Sequence, residues 1–389
     1  MFGLEFGGKN LLDLQWQGTL CDYVTAIAWS PTSETLAASS AAGEVVLWRS
    51  DTLTKLQTGT GESVDTIAFS PDGQFLAAGG QDGQVRIWHL QGDEEQGSKQ
   101  ALHPLTSSPP HPLTPGLHPV LLSPPFSKGG ANVWVDQLAW SHIGNQLAFS
   151  IGRFVQIWDA DTGEVTATLN FEASSVLGID WRPDGQYLAV CGHRGVKVWN
   201  AQNWNDEPYS LNIRAASIAI AWSTDGKYLA SGNMDCTLAV WEWNNPDPWI
   251  MRGFPGKIRN LAWSEPLTPV GAPVLAASCA QSITVWEKQQ DESAGWEARV
   301  LELHDGIVQA IAFQPGTFLL ASAANDSYIC LWQEATQLAQ ILEGATSGFS
   351  CVAWHSQRQG RTQGSPLLAV GGQNGELLIW SKLTEVVSF

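Results

Sequence analysis

Three histidines spaced by eight and seven residues, His103, His111 and His118, come nearest in this chain to a metal-binding tract. They fall in a stretch that repeats His-Pro-Leu-Thr, starting at His103 and again at His111, so duplication accounts for the spacing and no metal site is expected. The cysteines, Cys21, Cys191, Cys236, Cys279, Cys330 and Cys351, contain no CxxC pair and no compact spacing. That argues against a zinc site or a disulfide framework and predicts buried, reduced thiols. Gly59-Thr60-Gly61 lacks the later glycine of a dinucleotide turn. Gly256-Lys257 lacks both the earlier glycine and the following Ser or Thr of a phosphate loop. HExxH and GxSxG do not occur. The sequence thus predicts no catalytic residue, no cofactor and no metal ligand, and an enzyme is not expected.

Composition says which elements would position any binding residue instead. The 389 residues carry 20 Lys and Arg against 38 Asp and Glu, a net charge of −18. A nucleic-acid binder needs a basic footprint to meet phosphates, so that class is excluded. Twenty Trp and 38 Gly against 3 Met fit many short strands joined by tight turns rather than long helices. Nowhere do about 18 apolar residues follow one another, as a membrane span requires, and the first residues contain no signal-peptide core. A soluble, cytoplasmic protein is expected.

Self-similarity organises the chain. A tryptophan closes a β-rich run at Trp48, Trp88, Trp158, Trp199, Trp241, Trp286, Trp332 and Trp380, with steps of 40 to 48 residues and one of 70. Upstream of each stands an aromatic, at Trp29, Phe69, Trp140, Trp181, Trp222, Trp263, Phe313 and Trp354, ending a strand of the Ile-Ala-Trp kind. The unit over 64–88 is clearest: two runs of β-formers flank Ser70-Pro71-Asp72-Gly73, and a third follows Gln81-Asp82-Gly83. Proline presets φ, aspartate caps through its side chain and glycine accepts positive φ, so each tetrad reads as a hairpin turn. Runs such as Phe75-Leu76-Ala77-Ala78 are too continuously apolar for a sheet with one wet face. Neighbouring sheets must cover both faces, as sheets stacked around an axis do.

On these residues the chain resembles the WD40-repeat family of β-propellers, whose repeat is about 40 to 45 residues and four strands per blade. The resemblance implies an all-β fold of eight four-stranded blades, with seven blades and an irregular module as the alternative. One unit matches the family signature in full: His304, Ser322, Asp326 and Trp332 occupy the places of a hydrogen-bonded structural relay. Elsewhere the histidine slot holds Leu20, Thr60, Ala131, Glu172, Ile213, Phe254 and Ala345. The aspartate slot survives at Asp82 and Asp235, and the Trp-Asp dipeptide occurs only at Trp158-Asp159. Closure of the ring needs a shared blade; a strand over 9–17 is expected to complete blade eight, and one over 383–389 is the other candidate.

A single propeller domain over 1–389 is therefore expected, interrupted at 90–131 by an insert rich in Pro, His and Ser between blades two and three. Its prolines predict a disordered loop outside the sheet. Part of it, Ser123-Pro124-Pro125-Phe126-Ser127-Lys128-Gly129-Gly130, resembles translated interspersed repeats of cyanobacterial proteins. Shorter extensions at 265–273 and 356–366 fall between first and second strands and should share one rim.

The resemblance implies a non-catalytic scaffold or adaptor for protein partners, in assembly of a multiprotein complex, with no cofactor and a monomeric state by itself. Asp159-Ala160-Asp161-Thr162-Gly163 faintly resembles the docking motif of quinoprotein dehydrogenases, which gives the alternative of a cofactor-binding propeller; the tryptophan expected after the glycine is missing. Loops on a rigid scaffold are where binding residues concentrate. The rim formed by turns before the first and third strands should gather Arg153, His193, Arg194, Met234, Arg252, Phe254 and Lys257, a cationic face with apolar anchors suited to an acidic peptide. Trp204, Trp243, Trp249 and Trp296, at outer-strand positions, are expected to pack between blades.

Overall fold

A computed structural model of the chain describes residues 10–90, 116–122, 133–172, 174–291, 293–355 and 365–382. Among the described residues there is no helix; 32 strands form eight antiparallel sheets of four. Seven sheets use consecutive strands. The eighth joins Phe349–Trp354, Leu367–Gly372 and Glu376–Ser381 to Asp13–Thr19 from the other end of the chain. Inner strands touch one another in chain order, and Phe349–Trp354 touches Val24–Trp29, so the sheets close into an eight-bladed propeller. The alternative with seven blades is thereby set aside. The closing strand runs over Asp13–Thr19, a few residues beyond the 9–17 expected, and 383–389 lies outside the described residues.

The turn chemistry read from sequence is what joins the strands. In Ser70-Pro71-Asp72-Gly73 the Asp72 carboxylate accepts from Ser70 Oγ and from the Gln74 amide at 2.9 Å, and Gly73 has φ +71°. A Cβ at Gly73 would come within 2.1 Å of Thr32 Oγ1. Both the backbone conformation and the neighbouring blade therefore require glycine there. Second strands such as Thr35–Ser40, Phe75–Gly80, Tyr228–Asn233 and Leu367–Gly372 are buried along their whole length. That is the two-sided covering their unbroken small and apolar runs predicted.

Within the insert, Gly116–Leu122 pairs with Val85–His89 and supplies the outer strand of blade two, so the expectation of a disordered loop over 90–131 does not hold at these residues. Pro119 is tolerated because it falls at a register irregularity on an outer strand, where a missing N–H breaks no ladder bond. His103, His111 and the interspersed-repeat segment lie outside the described residues.

The aromatic that ends each inner strand also ties blades together. Indole Nε1 groups of Trp29, Trp140, Trp181, Trp263 and Trp354 donate to the carbonyls of Ala353, Ala68, Ala139, Ala221 and Ala312 in the preceding blade, at 3.0 to 3.2 Å. Trp222 breaks the rule, its indole N–H buried without a partner. Here the preceding blade carries Asp180 where the others carry Ala, and Asp180 Oδ2 takes the backbone N–H of Trp222 at 2.6 Å. Asp180 keeps some exposure as a residue, but its carboxyl group is enclosed by protein. Lost hydration pushes it up to about 7, against the pull of the Trp222 and Trp181 amides.

A carboxyl raised in this way binds its proton more tightly in the folded than in the unfolded chain. Its contribution favours the fold below the ordinary carboxylate range and is lost as pH rises from about 4 to about 7. Replacing Asp180 by Ala, the residue of the other blades, should therefore remove a pH-dependent loss of about 1–2 kcal/mol, less than full linkage because the residue is not fully buried. Urea unfolding at pH 4.5 and pH 8 reads this directly. An identical pH difference in both proteins would show that Asp180 titrates as an ordinary carboxylate.

Candidate partner-binding rim

The complete signature unit forms one hydrogen-bonded chain. Trp332 Nε1 donates to Ser322 Oγ at 2.9 Å, Ser322 Oγ lies 2.8 Å from His304 Nε2, and His304 Nδ1 lies 2.9 Å from Asp326 Oδ2. Asp326 also accepts from the amides of Asp305 and Tyr328 at 3.1 and 3.0 Å. Burial pushes the Asp326 carboxyl up, but the His304 bond and the Tyr328 and Gly306 amides outweigh it and hold it below its ordinary value. The indole N–H thus reaches the carboxylate through the serine hydroxyl and the imidazole. Ser322 is fully buried and His304 nearly so, which leaves the chain no face for a substrate.

In four of the blades that lack the serine, the closing tryptophan has no acceptor. Trp48, Trp88, Trp158 and Trp286 each bury an unpaired Nε1, and ten residues before them stand Ala38, Ala78, Ala148 and Ala276. The degeneracy visible in sequence is thus a real loss of bonds in four blades.

Antiparallel connectivity puts the turns before first and third strands on one rim. All seven proposed rim residues lie in those turns of blades three to six. Arg153 is exposed in the turn between Gln146–Ile151 and Phe154–Asp159, with its guanidinium 5.1 Å from the Phe154 ring centre. His193 and Arg194 are exposed at the tip of the next blade's corresponding turn, where Arg194 has φ +71°. Met234 is 48% exposed and its amide bonds Ala216 O at 2.9 Å. Arg252 is exposed and Lys257 half-buried. Phe254 differs: it is half-buried against the core of blades five and six, its ring centre 6.1 Å from that of Trp286, and it presents no free anchor.

Several rim residues escaped sequence reasoning. Arg214, exposed just before Ser217–Trp222, adds a cation to the same loops, and Trp134, 50% exposed, adds an aromatic beside blade three. More regular is the ring at the mouth of the axial channel. In seven inner strands the register slips between the first and third residue, as between Val176 and Gly178 or Ile258 and Asn260. A bulge re-aims the residue it leaves unpaired. The bulged residues are Thr25, Asp65, Leu177, Ile218, Arg259, Gln309 and Ser350, and three of them, Leu177, Ile218 and Arg259, line a cavity of about 310 Å³ together with Gln137. Burial, and secondarily the Asp65 charge, raise the carboxyl of Asp136, which stands next to this ring in blade three. Aligning the repeats would have put these residues in one column; what hid them was that their types differ in every blade.

Other candidates read from the sequence resolve into packing. Asp159 caps its own turn, Oδ1 accepting from the amides of Asp161 and Thr162 at 3.0 Å. Trp204 and Trp243 stand edge-on to Trp181 and Trp222 at 5.9 and 5.1 Å, and Trp296 lies 5.9 Å from Trp263 and 6.3 Å from Trp249. All six cysteines are free; Cys191, Cys279 and Cys330 are buried, whereas Cys21 is exposed, against expectation. No helix of the described residues is long and apolar enough to cross a membrane.

Comparison with known proteins agrees with the geometry. The family model described as "WD domain, G-beta repeat" matches residues 163–200, 212–242 and 295–333, and that of the "Anaphase-promoting complex subunit 4 WD40 domain" matches 27–103. Nuclear distribution protein nudF of Aspergillus flavus is 32% identical over 110 residues, 28% of this chain and 23% of the relative. Cell division cycle 20.1, cofactor of APC complex, of Arabidopsis thaliana is 25% identical over 213 residues, 52% of this chain and 45% of the relative. Protein transport protein sec13 of Emericella nidulans is 25% identical over 109 residues, covering 27% and 35%. The aligned part of the chain spans less than half the length of each of these relatives.

Proposed function

The chain belongs to the WD40-repeat family, and from that premise we propose that it is a rigid, non-catalytic adaptor docking an acidic segment of a partner protein on the rim of blades three to six. Propellers of this family are generally protein-interaction scaffolds within complexes, and the similar proteins named above fit that role. The observation that carries the reading is charge placement: in a chain of net −18, Arg153, Arg194, Arg214, Arg252, Lys257 and Arg259 gather on one rim and its channel mouth. Cations concentrated against the overall charge steer an anionic partner and exclude cationic ones. Met234 and Leu177, 48% and 38% exposed, give such a segment apolar contact. A cytoplasmic location and a monomeric state accompany this proposal.

Changing Arg153, Arg194, Arg214 and Arg252 together to Ala tests it without touching the half-buried Phe254. Affinity capture from the native lysate should lose an acidic partner, and that partner, once purified, should bind the wild type at least tenfold more weakly at 200 mM than at 50 mM salt, as expected for about four ion pairs. Capture of the same partners by both proteins, with equal affinity, would move the binding surface off this rim.

A further inference from the structure

The opposite rim carries a cavity of about 280 Å³ between blades six and seven. Its floor is apolar: Val274 and Val285 are buried, and Phe318 is half-buried beside them. The extension at 265–273 forms one lip, a hairpin held against blade seven by Glu265 Oε2 accepting from the Gly316 amide at 2.8 Å. Leu267 and Val270 remain 44% and 40% exposed on that lip. The wall is Ser282–Lys288 paired with Trp296–Leu301, a register that sets Glu287 directly opposite Glu297, with Val285 opposite Arg299. Like charges facing each other across a strand pair oppose folding. Glu334 comes from the facing turn of blade seven. Among the described residues none of these three carboxylates has a cation within 4 Å, and Arg299 forms no ion pair with them.

We propose that this cleft receives a basic side chain of a partner polypeptide, its cation among Glu287, Glu297 and Glu334 and its aliphatic stem along Val285 and Phe318. An apolar floor beneath a ring of unneutralised carboxylates complements the two halves of an arginine or lysine side chain. The face of Phe318 adds attraction for a cation, and the facing Glu287 and Glu297 gain a counter-charge that Arg299, which also lines the cleft, does not give them by an ion pair among the described residues. The site lies on the other rim from the proposed docking surface and differs from it in loops and in sign of charge, so it stands or falls separately.

The probe is the tripeptide N-acetyl-Leu-Arg-Leu-amide, titrated into full-length protein carrying methyl-labelled valine, with its citrulline analogue as the uncharged control. Saturable shifts of the Val274 and Val285 methyl signals are expected with the arginine peptide. Affinity should fall about tenfold or more for the citrulline peptide and in the Glu297→Gln/Glu334→Gln variant, the loss typical of a charge-assisted pair. That variant should keep its unfolding temperature, because one member of the like-charge pair is neutralised, so lost binding is not lost folding. Absence of saturable shifts at the two valines, or equal binding of arginine and citrulline peptides, would overturn the proposal. The variant lacking the four rim arginines should bind the tripeptide as the wild type does, which separates the two sites.

Discussion

Removing residues 1–19 is expected to lower stability by about 3–5 kcal/mol and to promote aggregation. The strand Asp13–Thr19 is the outer strand of blade eight, paired with Glu376–Ser381 from Asp13 opposite Ser381 to Thr19 opposite Glu376. It brings more than a ladder. Leu12 is buried in the core of blades seven and eight, and Gln340 clamps the approach, its Oε1 accepting from the Leu11 and Leu12 amides at 2.8 and 3.0 Å and its Nε2 donating to Leu12 O at 2.8 Å. Trp16 packs 5.9 Å from Trp48 and donates to Asp51 O, reaching into blade one. Without the strand, Glu376–Ser381, nearly all buried, becomes an apolar edge with unpaired N–H and C=O groups, a template for intermolecular pairing. Light scattering during gel filtration and a thermal melt report both effects, and a peptide of residues 10–20 added in trans should reverse them. A truncated chain that stays monomeric and melts with the wild type would mean that the ring does not depend on this closure.

That closure was legible in sequence because it is a matter of topology: eight units must end in a shared blade, and an unassigned β-prone stretch preceded the first. Strand order and turn chemistry were legible for a related reason, since proline, aspartate and glycine at fixed places leave the backbone few options. The outer strand Gly116–Leu122 was not, because an outer strand is held by its neighbour's ladder more than by its own composition, and Pro119 happened to fall where the ladder is irregular. Phe254 differs for another reason: its loop position was right, but its ring packs half-buried against the core beside Trp286, where burial of apolar surface favours it. Arg259 and the other bulged residues were hidden because a period-two reading assigns them no special direction. The bulge that aims them is a property of pairing between strands, not of either strand alone.

Replacing Ser322 by Ala should cost about 2–4 kcal/mol, more than a buried hydroxyl by itself is worth. The hydroxyl is the hinge of two bonds: it accepts from Trp332 Nε1 and meets His304 Nε2, so its loss strands a donor and an acceptor in a site without water access. Blade one shows how the same place is filled without a relay. There the histidine slot is Leu20 and the serine slot Ala38, both buried, and Trp48 keeps its indole N–H unpaired. Removing both partners of a buried bond costs less than removing one, because nothing polar is left exposed to an apolar surround. The double variant His304→Leu/Ser322→Ala, which copies the histidine and serine slots of blade one into blade seven, is therefore expected to lose less than the sum of the two single variants, while His304→Leu alone loses about 1–3 kcal/mol by stranding Ser322 and Asp326. Chemical denaturation of the three variants closes the cycle. Additive losses would mean that serine and histidine act independently, and that the four blades with an orphaned closing tryptophan give up less by the serine's absence than those unpaired indoles suggest.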